Sequence, residues 1–181
     1  MSVLSDYFSA PSDEAAASMV TKLLSESAYD VVEMNGIFPG YHLLPVEVFL
    51  SGRSAEEIRQ GDHNGKLVAS VDDYQVVVER VSDDLTASLA AATSEQIAEA
   101  AESWLGFEDF QGSDTSGLAG FLGDLAALAR RAAARKEHLY CKMSCLRADR
   151  DRAHRRCPRS SCSCAPAGRG RGRRTRGHTG W

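Results

Sequence analysis

The chain has 181 residues, of which 43% are hydrophobic and 25% are charged, a composition typical of one globular domain with a short appendage. Its net charge of −4 hides two opposed regions, because residues 1–140 hold 9 Lys and Arg against 23 Asp and Glu, whereas residues 141–181 hold 12 against 2. The N-terminal stretch lacks the basic and apolar segments of a secretory signal, and no run approaches the roughly 18 apolar residues of a membrane span. We therefore expect a cytoplasmic protein with no contact to a membrane.

The first part of the chain predicts the order helix, strand, helix, helix. After a short lead-in, Ser12 can cap a helix over "SDEAAASMVTKLLSES", and the acids that follow it favour a helix N-terminus. The next segment, "YDVVEMNGIF", predicts a strand that ends at the turn pair Asn35-Gly36. Two helices are then predicted in "LLPVEVFLSG" and "SAEEIRQG", the second with a capping box formed by Ser54 and Glu57.

The second part predicts two strands, three helices and a final strand. "LVAS" and "YQVVVERV" are rich in β-branched residues, and helices are expected to start at Ser82 and Ser94. The strongest helical periodicity runs over 118–135, and "HLYCKM" closes the domain as a strand. About four strands and five or six helices predict an α+β fold, with a small mixed or antiparallel sheet covered by several helices. The predicted domains are residues 1–146 and a disordered, basic tail over 147–181.

No catalytic signature is present in the first 140 residues, which contain no phosphate-binding glycine loop, nucleophile elbow or His-Glu-x-x-His pair. We expect no cofactor and no metal. An enzyme whose pocket is assembled from residues distant in sequence is the alternative. Its candidate residues flank the "NGIFPG" turn and the following helix, and they would have to converge in one cleft: Glu33, Tyr41, His42 and Glu47.

The segment "SWLGFEDF" concentrates aromatic side chains among acidic ones. One interpretation is that the aromatic residues belong to the core. The other is a partly exposed hydrophobic patch with an acidic rim, as in a partner-binding surface. The candidate binding residues of this patch are Trp104, Phe107, Glu108, Asp109 and Phe110.

The basic tail allows three interpretations. A zinc site is disfavoured because Cys162 and Cys164 are too close for a standard ligand pair. Nucleic-acid binding would use a run of arginines that can neutralise phosphates: Arg169, Arg171, Arg173, Arg174 and Arg176. However, apart from Trp181, the last 25 residues are only Arg, Gly, Ser, Cys, Pro, Ala, Thr and His. Because the loss of all acidic and aliphatic residues suits no folding or binding pressure, the composition favours GC-rich DNA translated by read-through or in a shifted frame.

The domain resembles a group of small acidic proteins of unknown function from GC-rich bacteria and, more distantly, the YfbM-like family. The residues that carry this resemblance are "DYFSAPSDEAAA", "VVEMNGIFPG" with "LLPVEVFLSG", and "LARRAAARKEHLYC". Such relatives end a few residues after the last of these segments, which implies that everything beyond about Leu146 is foreign to the domain. The resemblance brings no activity and no site residues.

The charge of the domain indicates its class of partner. A net charge of −14 over residues 1–140 would speed association with a basic protein through long-range attraction. We therefore expect a non-enzymatic acidic binding protein with a cationic protein partner, and an immunity protein that neutralises a toxin is one concrete form. The alternatives are nucleic-acid binding through the tail and the enzyme described above.

Overall fold

The computed structural model describes residues 2–61, 65–106, 110 and 114–146. Contacts between Cα atoms separate residues 1–148 from residues 149–181, and every described residue lies in the first of these units. The predicted basic tail and its arginines lie outside the described residues.

The fold is α+β, as predicted, and its sheet is antiparallel throughout. Five strands follow one another across the sheet in the order β2-β1-β5-β4-β3. Strands β2 and β3 are therefore the two edges, and the N-terminal and C-terminal strands pair at the centre. The strands are β1 Ser2–Ala10, β2 Val31–Asn35, β3 Lys66–Val71, β4 Val76–Arg80 and β5 His138–Leu146.

The N-terminal strand corrects the sequence prediction, which had a lead-in followed by a helix. Strand β1 pairs along its length with β5 and also with β2. Its side chains are buried on both sheet faces, because Tyr7 packs in one hydrophobic cluster and Phe8 in the other. The predicted helix shrinks to α1, Asp13–Ala17. Its cap is confirmed, since the Ser12 hydroxyl accepts the backbone N–H of Ala15 at 3.2 Å.

The remaining helices follow the predicted signals closely. The Ser54–Glu57 capping box is present, and Gly52 ends its helix in the left-handed region with a φ of 68°. The longest helix begins three residues before its predicted start because Asp114 caps it. The helices are α2 Pro39–His42, α3 Leu44–Ser51, α4 Ala55–Gln60, α5 Asp83–Ala91, α6 Ser94–Trp104 and α7 Thr115–Arg135, with a short 3₁₀ turn at Leu24–Glu26. In the part of the chain that the structure describes, no helix has the length and apolar character to cross a membrane.

The two faces of the sheet are covered unequally. Helices α3, α5, α6 and α7 pack together, and α7 also contacts β1, β2 and β5, which buries the larger core on this face. The opposite face carries the smaller cluster, to which α1 contributes Ala16. Helix α7 thus lies over the sheet next to the edge strand β2, and this placement leaves a groove between the two.

Candidate functional site

The described aromatic residues of the predicted binding patch lie in the core. Trp104 is 0% exposed and Phe110 is 9% exposed, and their ring centroids are 4.8 Å apart. Phe110 also packs edge-on against His42 at 5.3 Å. Phe107, Glu108 and Asp109 lie outside the described residues. Trp104 and Phe110 can therefore support a binding surface from beneath, but Trp104 presents no surface of its own.

The candidate residues for an assembled active site are dispersed. His42 and Glu33 line two neighbouring clefts, whereas Glu47 lines another cavity, and Tyr41 is 56% exposed. The Nδ1 atom of His42 accepts the backbone N–H of Phe38 at 2.9 Å, which holds the imidazole within its own helical turn. Glu47 is buried, and the Ser82 hydroxyl donates to its carboxylate at 3.4 Å. The convergence that an enzyme of this kind requires is not found among these residues.

A groove runs between the edge strand β2 and helix α7, and we call it the β2–α7 groove. It consists of two adjoining clefts of about 480 Å³ and about 390 Å³. The first is lined by Met34, Asn35, Gly36, His42, Phe110, Asp114, Gly117 and Leu118. The second is lined by Val31, Val32, Glu33, Phe121, Asp124, Ala127 and Arg131.

The order of these lining residues shows that the two clefts follow one another along the same strand and helix. Along β2 the clefts take residues 34–36 and then 31–33, while along α7 they take residues 114–118 and then 121–131. Strand and helix therefore run antiparallel along the groove. The helical residues recur at intervals of three or four, which is the spacing of one helix face. One face of α7 thus forms a wall along the whole of β2.

Local structure fixes the end of the groove next to α2. The turn after β2 needs Gly36, whose φ is 76°. The buried Tyr7 hydroxyl donates to the Ile37 carbonyl at 3.0 Å, which ties this turn to the centre of the sheet. The Phe38 and Tyr41 side chains are partly exposed on α2 and its cap. At this end of the groove, the backbone of the turn is therefore held in place, and aromatic side chains are exposed next to it.

The free edge of β2 is the second component of the groove. The N–H of Gly36 donates to the Val3 carbonyl at 2.9 Å. In an antiparallel ladder, every second residue exchanges hydrogen bonds with its partner, so Met34 and Val32 also bond to β1. The N–H and C=O groups of the residues between them point outward, and no backbone hydrogen bond among the described residues uses them. These outward-facing residues are Val31, Glu33 and Asn35.

The outer edge of β2 is electrostatically negative at Glu33, on the sheet face away from α7. The side chain of Glu33 is exposed, and its partner across the strand pair is Asp6. Burial raises the pKa of Asp6, the negative charge of Glu33 raises it further, and Lys142 opposes this. Two like charges in directly opposed positions destabilise a strand pair. A cation placed beside Glu33 would relieve this repulsion.

Along the α7 wall, the acid Asp124 is exposed, whereas the base Arg131 is already paired. The Nε atom of Arg131 lies 3.1 Å from a carboxylate oxygen of Asp30. At the other end, Asp114 caps α7, and hydrogen bonds from the Ser116 hydroxyl and from backbone N–H groups lower the pKa of its carboxyl. The groove thus presents more negative than positive charge to an incoming ligand.

A second charged cluster lies at the opposite side of the sheet, and its charges are matched internally. Arg80 lies 2.6 Å from Asp83, and Lys66 lies 2.7 Å from Asp13. The Tyr140 hydroxyl donates to Asp13 at 2.9 Å, and His138 lies 3.1 Å from Asp83. Asp13 and Asp83 are the first residues of α1 and α5. The cluster therefore joins two helix N-termini to strands β3, β4 and β5, which is a structural role.

No group of three or more His, Cys, Asp or Glu among the described residues is arranged to hold a metal ion. Cys141 is fully buried, and burial raises the pKa of its thiol well above the usual range. A thiol in this state is a poor nucleophile and a poor metal ligand. Cys145 is a free, partly exposed cysteine, and the pair Cys162 and Cys164 lies outside the described residues.

The residues of the groove carried only a weak signal in the sequence. In "VVEMN", the polar residues Glu33 and Asn35 alternate with apolar ones, which is typical of a strand exposed on one face. Nothing in that pattern indicates which neighbour the strand has. Asp124 and Ala127 were part of a helical periodicity and carried no functional signal.

Comparison of the chain with protein-family models, with curated proteins and with solved structures finds no match. The resemblance to small acidic proteins and to the YfbM-like family therefore stays a prediction.

Proposed function

We propose that this chain is a cytoplasmic, non-enzymatic binding protein whose acidic domain recognises a cationic protein partner. The observation that carries the proposal is the β2–α7 groove, which combines a free strand edge with two exposed carboxylates, Asp124 on the α7 wall and Glu33 on the other face of β2. A neutralising role against a basic toxin, of the kind immunity proteins perform, is one concrete form of this function.

Charge supports the proposal at two length scales. The net charge of −14 over residues 1–140 would raise the rate of encounter with a basic protein, an effect that weakens as salt screens it. At short range, the Asp6–Glu33 pair favours a cation at the edge of the sheet. Glu47 lies outside the groove, and the His42 ring is held by the backbone N–H of Phe38, so a binding role accounts for these residues better than catalysis.

The test is capture followed by a purified binding measurement. A protein truncated to residues 1–146 is suitable bait because it contains all five strands and both hydrophobic clusters. We expect it to retain a basic protein at low salt and release it as salt rises. The purified pair should then associate several-fold more slowly at 0.3 M than at 0.05 M salt, since the Debye length shortens.

Charge variants make the test specific to the groove. The double variant Glu33→Gln/Asp124→Asn should slow association, whereas Glu56→Gln/Glu99→Gln, which removes two exposed acids from helices α4 and α6, should change it less. The proposal fails if the bait retains nothing beyond a blank resin, or if the affinity for the captured protein is insensitive to salt and to both variants.

Nucleic-acid binding through the tail is the second candidate, and it rests on the arginines over 169–176. If the tail is functional, the full chain should bind RNA with an affinity that falls steeply with salt, and truncation at Leu146 should abolish binding. Mass spectrometry of the protein from its native cells decides whether this tail is present at all. A native product ending near Leu146 would exclude the tail and support the shifted-frame interpretation.

A further inference from the structure

The geometry of the β2–α7 groove points to a specific mode of recognition, and the inference rests on the function proposed above. We propose that the groove binds an extended segment of the cationic partner as a sixth strand, added to the outer edge of β2. The segment carries a lysine or arginine beside Glu33 and apolar residues at the two adjacent positions.

Backbone geometry provides the first argument. Val31, Glu33 and Asn35 direct their N–H and C=O groups outward. Each of these three residues therefore offers one donor and one acceptor to an added strand. The five residues of β2 span about 17 Å at the rise of an antiparallel strand. An added peptide of about five residues would satisfy this edge with main-chain hydrogen bonds, as in other cases of strand addition.

Helix α7 provides the second argument, because it would cover one face of the added strand. Successive residues of a strand point to opposite faces of the sheet. Residues of the segment beside Val32 and Met34 would point into the two clefts, towards Leu118 and Phe121 on α7. These clefts favour apolar side chains of moderate size.

Charge at the other face provides the third argument. The residue of the segment that lies beside Glu33 points to the same face as Glu33 and Asp6, which are partners across the strand pair. A lysine or arginine there lies one strand from Glu33 and two strands, about 10 Å, from Asp6, so Glu33 is its main partner and Asp6 adds a weaker attraction. An acidic residue at this position would add a third negative charge. Alternating apolar and basic residues are therefore the expected recognition pattern.

The probe is a displayed library of random 12-residue peptides selected against the full chain. We expect enrichment of peptides with a lysine or arginine that has apolar residues on both sides. One selected peptide is then synthesised and its dissociation constant measured by fluorescence anisotropy. Enrichment of peptides without this alternation, or no enrichment at all, overturns the inference. Neither result bears on the proposed function, because binding of the captured protein tests that function separately.

Two substitutions at one position separate charge from strand addition. Glu33→Gln removes the charge but keeps the outward N–H, so it should weaken binding a few-fold in low salt. Glu33→Pro removes the same charge and also the outward N–H, while the bonds from Val32 and Met34 to β1 remain. It should weaken binding by about a further tenfold. Equal affinities of the two variants would refute strand addition and leave charge recognition standing.

A measurement without any protein variant covers the case in which Glu33→Pro fails to fold. The added strand is taken to run antiparallel to β2, as the other strands of the sheet do with their neighbours. N-methylation of the peptide's basic residue, or of the residues two positions away, then blocks the amides that face β2 and should abolish binding. N-methylation of the adjacent residues blocks amides that face solvent and should preserve it. The same effect from both sets would overturn the inference.

Hydrogen exchange followed by NMR gives a direct signature of the added strand. In the free protein, the amides of Val31, Glu33 and Asn35 should exchange rapidly because they face outward. Saturation with the peptide should slow these three amides at least tenfold and leave the already bonded Met34 amide little changed. A peptide that binds without slowing them occupies another site, and the inference is then wrong.

Discussion

Helix α7 contains glycines at internal positions where the described part of the structure leaves room for a larger side chain. At Gly120 and Gly123, an added Cβ would meet no atom of the described residues within 4 Å outside the backbone of its own helix, and neither residue has a positive φ. Glycine in a helix interior is less favourable than alanine by about 0.8–1 kcal/mol, because it loses more backbone freedom on folding. We therefore expect Gly120→Ala and Gly123→Ala each to raise the free energy of unfolding by about that amount.

The size of the thermal effect follows from the length of the domain. Unfolding entropy is about 2.1 cal/mol/K per residue, which gives roughly 0.3 kcal/mol/K for residues 1–146. A combined gain of about 1.6–2 kcal/mol should raise the melting temperature by about 5–6 °C. Thermal melts and urea titrations followed by circular dichroism measure both quantities, and the urea m-value should remain constant.

Gly52 provides a matched control, because substitution by alanine at this position should lower the free energy of unfolding instead of raising it. An added Cβ at Gly52 also meets nothing within 4 Å, but the residue ends α3 with a φ of 68°. Alanine in the left-handed region costs about 1–2 kcal/mol. The reasoning is refuted if Gly120→Ala and Gly123→Ala destabilise the domain, or if Gly52→Ala is as stabilising as they are.

The remaining predictions concern the pH dependence of stability and have opposite signs. Burial raises the pKa of the Glu79 carboxyl in the folded state, so its ionisation destabilises the fold above the unfolded pKa, and Glu79→Gln should increase stability at pH 7 relative to pH 4. Hydrogen bonding to Lys66, with a further hydrogen bond from Tyr140, lowers the pKa of Asp13. Its contribution is therefore present above its unfolded pKa near 3.8 and is lost as the pH falls through the folded pKa. Asp13→Asn should cost about 0.5–1 kcal/mol at pH 7, as for a surface ion pair, and progressively less as the pH falls through the lowered folded pKa. Urea titrations across this pH range check both variants, and a pH profile that neither of them alters would contradict the assigned causes.

Short-range signals in the sequence identified most of the helices. The caps at Ser12, Ser54 and Ser82 each depend on a hydrogen bond to a residue three positions further along the chain. The C-terminal stop at Gly52 depends on the backbone of that residue alone. Features of this kind are visible in a window of a few residues, and for that reason the caps at Ser12, Ser54 and Ser82 and the stop at Gly52 were confirmed.

The central strand was missed for the opposite reason. In "SVLSDYFSA", Ser5 and Ser9 point into the same buried face as Tyr7, while Phe8 and Ala10 are buried on the other. No alternation of polar and apolar residues distinguishes two buried faces. What makes the segment a strand is its pairing with β5, about 130 residues further along the chain. No local pattern contains that information.

The sequence by itself determined the α+β class, the strand "VVEMN" with its turn, the amphipathic helix α7 and the excess of acidic residues in the domain. Only the tertiary structure decided that β2 is an edge, that α7 lies beside it, and that Trp104 is buried beneath the surface rather than part of it. The physical reason is that strand order and helix placement arise from contacts between distant segments, whereas propensity, capping and charge are properties of neighbouring residues.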